Sequence, residues 1–143
     1  MKKLILLLMV VGCIMQAQAQ KKLMAKDVPM AVKDAFSKAY PMEKDIDWCK
    51  DGNNYEAEYD SKKGDMAAIY SANGQLISTE MDISIADLPS GVMKYLLKNH
   101  KDHKVKEASK TTNVDGTITY ETEVKGMDLI FDSNGNYLKS KKA

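Results

Sequence analysis

The chain repeats itself, and that constrains its fold more than any other feature. Asp27-Val28-Pro29-Met30-Ala31-Val32-Lys33-Asp34-Ala35-Phe36 returns as Asp87-Leu88-Pro89-Ser90-Gly91-Val92-Met93-Lys94-Tyr95-Leu96. Further on, Ile69-Tyr70-Ser71-Ala72-Asn73-Gly74-Gln75-Leu76 returns as Ile130-Phe131-Asp132-Ser133-Asn134-Gly135-Asn136-Tyr137. Two anchors in the same order, each displaced by one unit, indicate a duplicated supersecondary structure. The units span 27–83 and 84–143, with Ser84-Ile85-Ala86 as the join. A unit of about 55 residues buries too little surface to stand comfortably alone. The two are therefore expected to share a core, or one continuous sheet, in a single α+β domain.

Each unit opens with a helix. Val28, Val32, Ala35, Phe36 and Ala39 fall on one helical face, and Leu88, Val92, Tyr95 and Leu96 repeat the stripe. Pro29 and Pro89 suit the first helical position, where a missing N–H costs nothing. Val28 and Leu88 then sit at the cap, with Asp27 and Asp87 beside the positive helix end. Pro41 stops the first helix at Tyr40, and the second is expected to fray near Asn99-His100.

Four strands follow each helix. In the first unit they start at Ile46-Asp47-Trp48, Tyr55, Met66 and Gln75, separated by turn signals at Asp51-Gly52-Asn53-Asn54, Lys62-Lys63-Gly64-Asp65 and Asn73-Gly74. In the second they run near Val105–Ala108, Thr117–Val124, Met127–Phe131 and Tyr137–Ser140, with turns at Asp115-Gly116, Lys125-Gly126 and Asn134-Gly135. The strict alternation of Tyr55-Glu56-Ala57-Glu58-Tyr59 marks a half-buried strand.

The chain begins with Lys2-Lys3, an apolar run from Leu4 to Met15, and Gln16-Ala17-Gln18-Ala19-Gln20. This reads as a secretory signal peptide over 1–19, cleaved after Ala19. The run falls short of the ~20 residues a spanning helix needs, and no other segment is apolar enough to take that role. Val10-Val11-Gly12-Cys13 fits a lipoprotein box, so anchoring at Cys13 is the alternative. Residues 20–26 are expected to form a flexible tail. Cleavage near Ala19 gives a periplasmic or secreted protein, whereas lipidation at Cys13 would anchor it to the membrane. Cleavage leaves Cys49 as the one cysteine, a half-buried strand residue with no activating histidine pattern nearby. The signal segment holds two of the 21 basic residues and none of the 20 acidic ones, so the mature chain is close to neutral. No arginine occurs anywhere. Near-neutral charge without bidentate forks argues against nucleic acid or an electrostatic membrane grip.

The repeat order, with Pro29, Tyr40-Pro41, Trp48, Tyr55 and Asn73-Gly74 in the first unit and Pro89, Tyr120 and Asn134-Gly135 in the second, resembles the PepSY-like, β-lactamase-inhibitor-like (BLIP-like) periplasmic proteins of the Bacteroidetes. The resemblance covers the chain from Asp27 onward. It implies a tandem α-β-β-β-β fold in which each helix packs on a four-stranded antiparallel sheet. The second unit departs from it, lacking the proline after the helix and the tryptophan on the first strand. The resemblance implies little about activity, because fold analogy does not license function.

Alternation assigns the faces. Tyr55, Ala57 and Tyr59, like Tyr120 and Thr122, should face the helices, leaving Glu56, Glu58, Glu121 and Glu123 as acidic rows outward. Met66, Ala68 and Tyr70 match Met127, Leu129 and Phe131, which puts Ile69 and Ile130 on the outward face in both units. Another subunit of a homodimer, an envelope partner, or the twist of the joined sheet could cover them. Trp48 reads as a core anchor or an interface hot spot. His100 and His103, with Asp102, are weak metal candidates that lack a third firm ligand. Asp132–Asn136 is similar to a calcium loop at its start but lacks the distal glutamate, and reads as a hairpin turn. No Gly-rich phosphate loop, nucleophile elbow or Cys-x-x-Cys is present. The expectation is a non-enzymatic envelope protein without cofactors. It would present Trp48, Glu56, Glu58, Ile69, Glu121, Glu123 and Ile130 to another protein. A small-ligand or metal-binding role is the alternative.

Overall fold

The computed structural model describes residues 21–143. The signal segment 1–19, the cleavage site after Ala19 and Cys13 lie outside the described residues. Among the described residues, nine strands form one antiparallel sheet whose spatial order is the order of the chain. Strand β1 is Lys21–Leu23, followed by helix α1, Met30–Ala39. Then come β2 (Asp47–Asp51), β3 (Asn54–Ser61), β4 (Gly64–Tyr70) and β5 (Leu76–Asp82). Helix α2, Ser90–Asn99, precedes β6 (Val105–Asn113), β7 (Ile118–Val124), β8 (Met127–Asp132) and β9 (Tyr137–Lys142).

Two local expectations are corrected. Lys21–Leu23 is no free tail: it pairs antiparallel with Lys50–Trp48 of β2 and forms the sheet's first edge. Each helix also starts one residue later than expected. Pro29 and Pro89 have helical φ near −54° but extended ψ, 141° and 143°, so each caps its helix instead of opening it. A short 3-10 turn, Ala25–Asp27 or Ile85–Asp87, delivers the chain to each cap.

The units are joined through the backbone. Strands β5 and β6 pair from Ser78 opposite Asn113 to Asp82 opposite Ser109, making the sheet continuous. The apolar core stays divided into two clusters, one under each helix. Under α1, Val32, Phe36, Trp48, Ala57 and Tyr59 are buried together. Phe36 meets Trp48 and Tyr59 edge-on, with ring centroids 5.7 and 5.1 Å apart. Under α2 the cross-strand row Trp48–Ala57–Ala68 becomes Ala108–Thr122–Leu129. The large residue has moved from the first strand of the row to the last. That keeps volume roughly constant, the kind of exchange a close-packed core tolerates. It explains how the second unit manages without a tryptophan.

The two repeated sequence anchors touch each other. The Asn73-Gly74 turn packs on the first turn of α1, so closely that a Cβ on Gly74 would collide with the Ala31 carbonyl oxygen. In the second unit a Cβ on Gly135 would lie 2.6 Å from the Val92 amide nitrogen. A bulge between Ile69 and Tyr70, matched between Ile130 and Phe131, precedes each turn. Such bulges re-aim side chains. Here the aromatic of each pair enters the core and the isoleucine stays on the opposite face.

Candidate functional site

Both core clusters lie on the helix side, so no other element of the described residues packs on the opposite face of the sheet. Cross-strand register sets out that face. One row runs Cys49–Glu56–Ile69–Ser78–Asn113. The next runs Asp47–Glu58–Ala67–Glu80–Thr111. A third passes through Asp82–Ser109–Glu121–Ile130–Lys139. Beside it, Glu123–Asp128–Lys141 forms a parallel row across β7, β8 and β9.

The sequence-derived candidates divide between the faces. Glu56, Glu58, Ile69, Glu121, Glu123 and Ile130 share the helix-free face. Trp48 does not: it is 4 % exposed inside the α1 core, packed instead of presented. Ile130 is covered by its neighbours to 8 % exposure, leaving Ile69 as the more accessible of the two isoleucines. Nor are the acidic rows uniformly solvated. Glu56 and Asp128 are buried, at 6 % and 2 % exposure. Among the described residues, no group of three His, Cys, Asp or Glu side chains could hold a metal ion. His100 caps α2 with its ring tilted 6.0 Å from that of Tyr95. Asp132 closes its hairpin by accepting hydrogen bonds at 2.9 Å from the Asn136 side chain and from the Asn136 and Asn134 backbone amides, which holds its carboxyl below the usual range.

Two features of this face escaped the sequence reading. The first is a cluster at the second-unit end. Lys141 Nζ lies 3.1 Å from Glu121 Oε2 and 3.9 Å from Asp128 Oδ2. Burial pushes Glu121 up to about 7, against Lys141, with Asp128 and Glu80 adding to the rise. Asp128 is raised by burial too, again opposed by Lys141.

The second is an open cleft of about 490 Å³ at the first-unit end. Glu58 and Glu80 flank Ala67 in register, and Asp60 stands opposite Asp65. Asp45, Asp47 and Asp82 complete its acidic lining, and Lys44 is the single cation among the lining residues. Burial pushes Asp82 up to about 6, and the neighbouring Asp65, Glu80 and Glu107 add to the effect. The register that gathers these residues follows from the tight Lys62-Lys63 turn, which was visible in the sequence. The contribution of β5 was not.

The sequence matches the family described as "Putative beta-lactamase-inhibitor-like, PepSY-like" twice, over residues 14–78 and 70–139. The chain belongs to this family. Solved structures share the fold. A BLIP-like protein from Bacteroides fragilis superposes with a TM-score of 0.65 at 24% identity, over 80% of this chain and 86% of that one. A protein from Bacteroides eggerthii, described among "putative periplasmic proteins", gives a TM-score of 0.72 at 18% identity, over 80% and 88%. Among curated proteins, none matches the sequence. Among the described residues, no helix is long and apolar enough to cross a membrane.

Proposed function

We propose that this chain is an exported, non-enzymatic binding protein of the cell envelope, and that it engages a partner protein through the helix-free face of its sheet. One observation carries the reading: among the described residues, two helices cover one face of a nine-stranded sheet and no helix covers the other. A sheet face without a covering layer needs either polar residues or a partner. This one mixes carboxylates with Cys49, Ala67, Ile69 and Ile130. In this reading the mature protein starts after Ala19, the repeats at 27–83 and 84–143 act as one scaffold, and the periplasm is the working compartment. The resemblance of relatives to an inhibitor fits a binding role and adds no target.

The test is capture from an envelope extract of the source organism, using the mature protein and two variants. Ile69→Asp places a charge on the proposed face. Leu97→Asp alters an equally apolar residue, 66 % exposed on the outer side of α2. A partner retained by the parent and by Leu97→Asp, and lost with Ile69→Asp, supports the face. Equal retention by all three overturns it.

A further inference from the structure

The acidic cleft narrows the chemistry of that partner, and the inference rests on the sheet-face reading. We propose that the cleft between residues 44–46, the start of β2, and strands β3, β4 and β5 receives a lysine or arginine side chain from an extended cationic segment of a partner polypeptide.

The cleft has the shape and lining for such a group. Ala67, 4 % exposed, forms a shallow floor between Glu58 and Glu80, because the smallest side chain of that row stands between two long ones. Ile46 and Met66 add apolar lining. A methylene stem along apolar surface with a charged head among carboxylates is how lysine and arginine dock. Asp60 and Asp65 stand directly opposite each other, an arrangement that destabilises a sheet unless the charge is compensated. The Lys22–Asp47 pair at 2.8 Å relieves the rim only, with both side chains more than half exposed. A compact metal ion fits poorly, since no three ligands converge among the described residues.

The acidic character does not end at the cleft. From Asp82 on β5 the row crosses Ser109 to Glu121 on β7, two strands away. Two strand spacings are roughly 10 Å, close to three residues of extended chain. A segment with cationic residues three apart would therefore reach both centres, which favours a polypeptide over a single small cation. Lys141 already sits beside Glu121, so the cleft is the stronger of the two.

The experiment titrates the mature protein with a capped nonapeptide carrying three lysines spaced three apart. The glutamate version of the peptide, spermidine, and Ca²⁺ or Mg²⁺ alone are titrated alongside. Binding of the lysine peptide that weakens with salt is expected. The double variant Asp65→Asn/Asp82→Asn should weaken it about tenfold, the equivalent of removing two partly exposed ion pairs. Asp34→Asn, on α1 and away from the cleft, should leave it unchanged. Thermal melting checks that the double variant is folded, and relief of like-charge repulsion should leave its melting temperature equal or higher. No binding, equal binding of the glutamate peptide, or no change with the double variant overturns the proposal. So does tighter binding of spermidine or of the metal ions. Should envelope capture depend on Ile69 but not on Asp65 and Asp82, the cationic chemistry fails while the sheet-face reading stands.

Discussion

Replacing Gly135 by alanine tests the contact that fastens the hairpin turn to α2. Gly135 has φ +82°, which costs an L-residue about 1–2 kcal/mol. The new Cβ would also lie 2.6 Å from the Val92 amide nitrogen and 2.9 Å from Gly91 Cα. Those are backbone atoms of the first helical turn, so relief requires the turn and helix to move apart by roughly 1 Å. Overpacking of this kind costs typically about 1–3 kcal/mol. Together the two effects come to about 3 kcal/mol. Gly116 supplies the control. It has φ +84°, with nothing within 4 Å of where a Cβ would lie, so Gly116→Ala incurs the backbone strain alone, about 1 kcal/mol. Gly91→Ala supplies the steric clash alone, since its Cβ would lie 2.6 Å from the Asn134 carbonyl oxygen and it needs no left-handed backbone. Urea unfolding of the four proteins reads the differences as shifts in midpoint at unchanged slope. A Gly135→Ala protein no less stable than Gly116→Ala would refute the claim that the two repeated anchors exist to contact each other.

Trp48→Ala should cost about 3–5 kcal/mol in the same assay, since the ring fills the α1 core against Phe36. Stability should also fall as pH rises. Glu121 and Asp82 are raised in the folded state to about 7 and about 6, so the folded protein binds protons more tightly than the unfolded chain. Their contribution is complete below the unfolded values and is lost as pH climbs through 6 to 7. For Glu121 alone the decrease between pH 5 and pH 8 is about 2 kcal/mol. Thermal melts at the two pH values should show it, and Glu121→Gln should flatten most of the difference. A parent protein more stable at pH 8 would contradict the buried placement of these carboxylates.

Much of the architecture was legible because duplication, period-two alternation and glycine turns are local signals. The alternation of Tyr55 to Tyr59 assigned its faces correctly, and the Ile69 and Ile130 pair fell on the helix-free side as expected. What was illegible depended on partners distant in the chain. Lys21-Lys22-Leu23 has no strand pattern of its own. Only the open edge of β2 makes it one. Trp48 carried two readings in the sequence, and the fold chose the core because its row faces Phe36. The acidic cleft assembles residues from Asp45 to Asp82, and their convergence depends on the register of three strands. Glu56 and Glu58 were visible as an acidic row. Asp65, Glu80 and Asp82 became part of the same surface only through cross-strand pairing.

The decisive question is which face of the sheet meets another molecule. The most direct measurement is the amount of partner retained from envelope extract by the parent, Ile69→Asp and Leu97→Asp proteins side by side, each first shown to melt like the parent. One partner should be retained in near-equal amount by the parent and Leu97→Asp, and depleted with Ile69→Asp. Retention that survives Ile69→Asp but disappears with Leu97→Asp would place the interface on the helical face and contradict a sheet-face binding role.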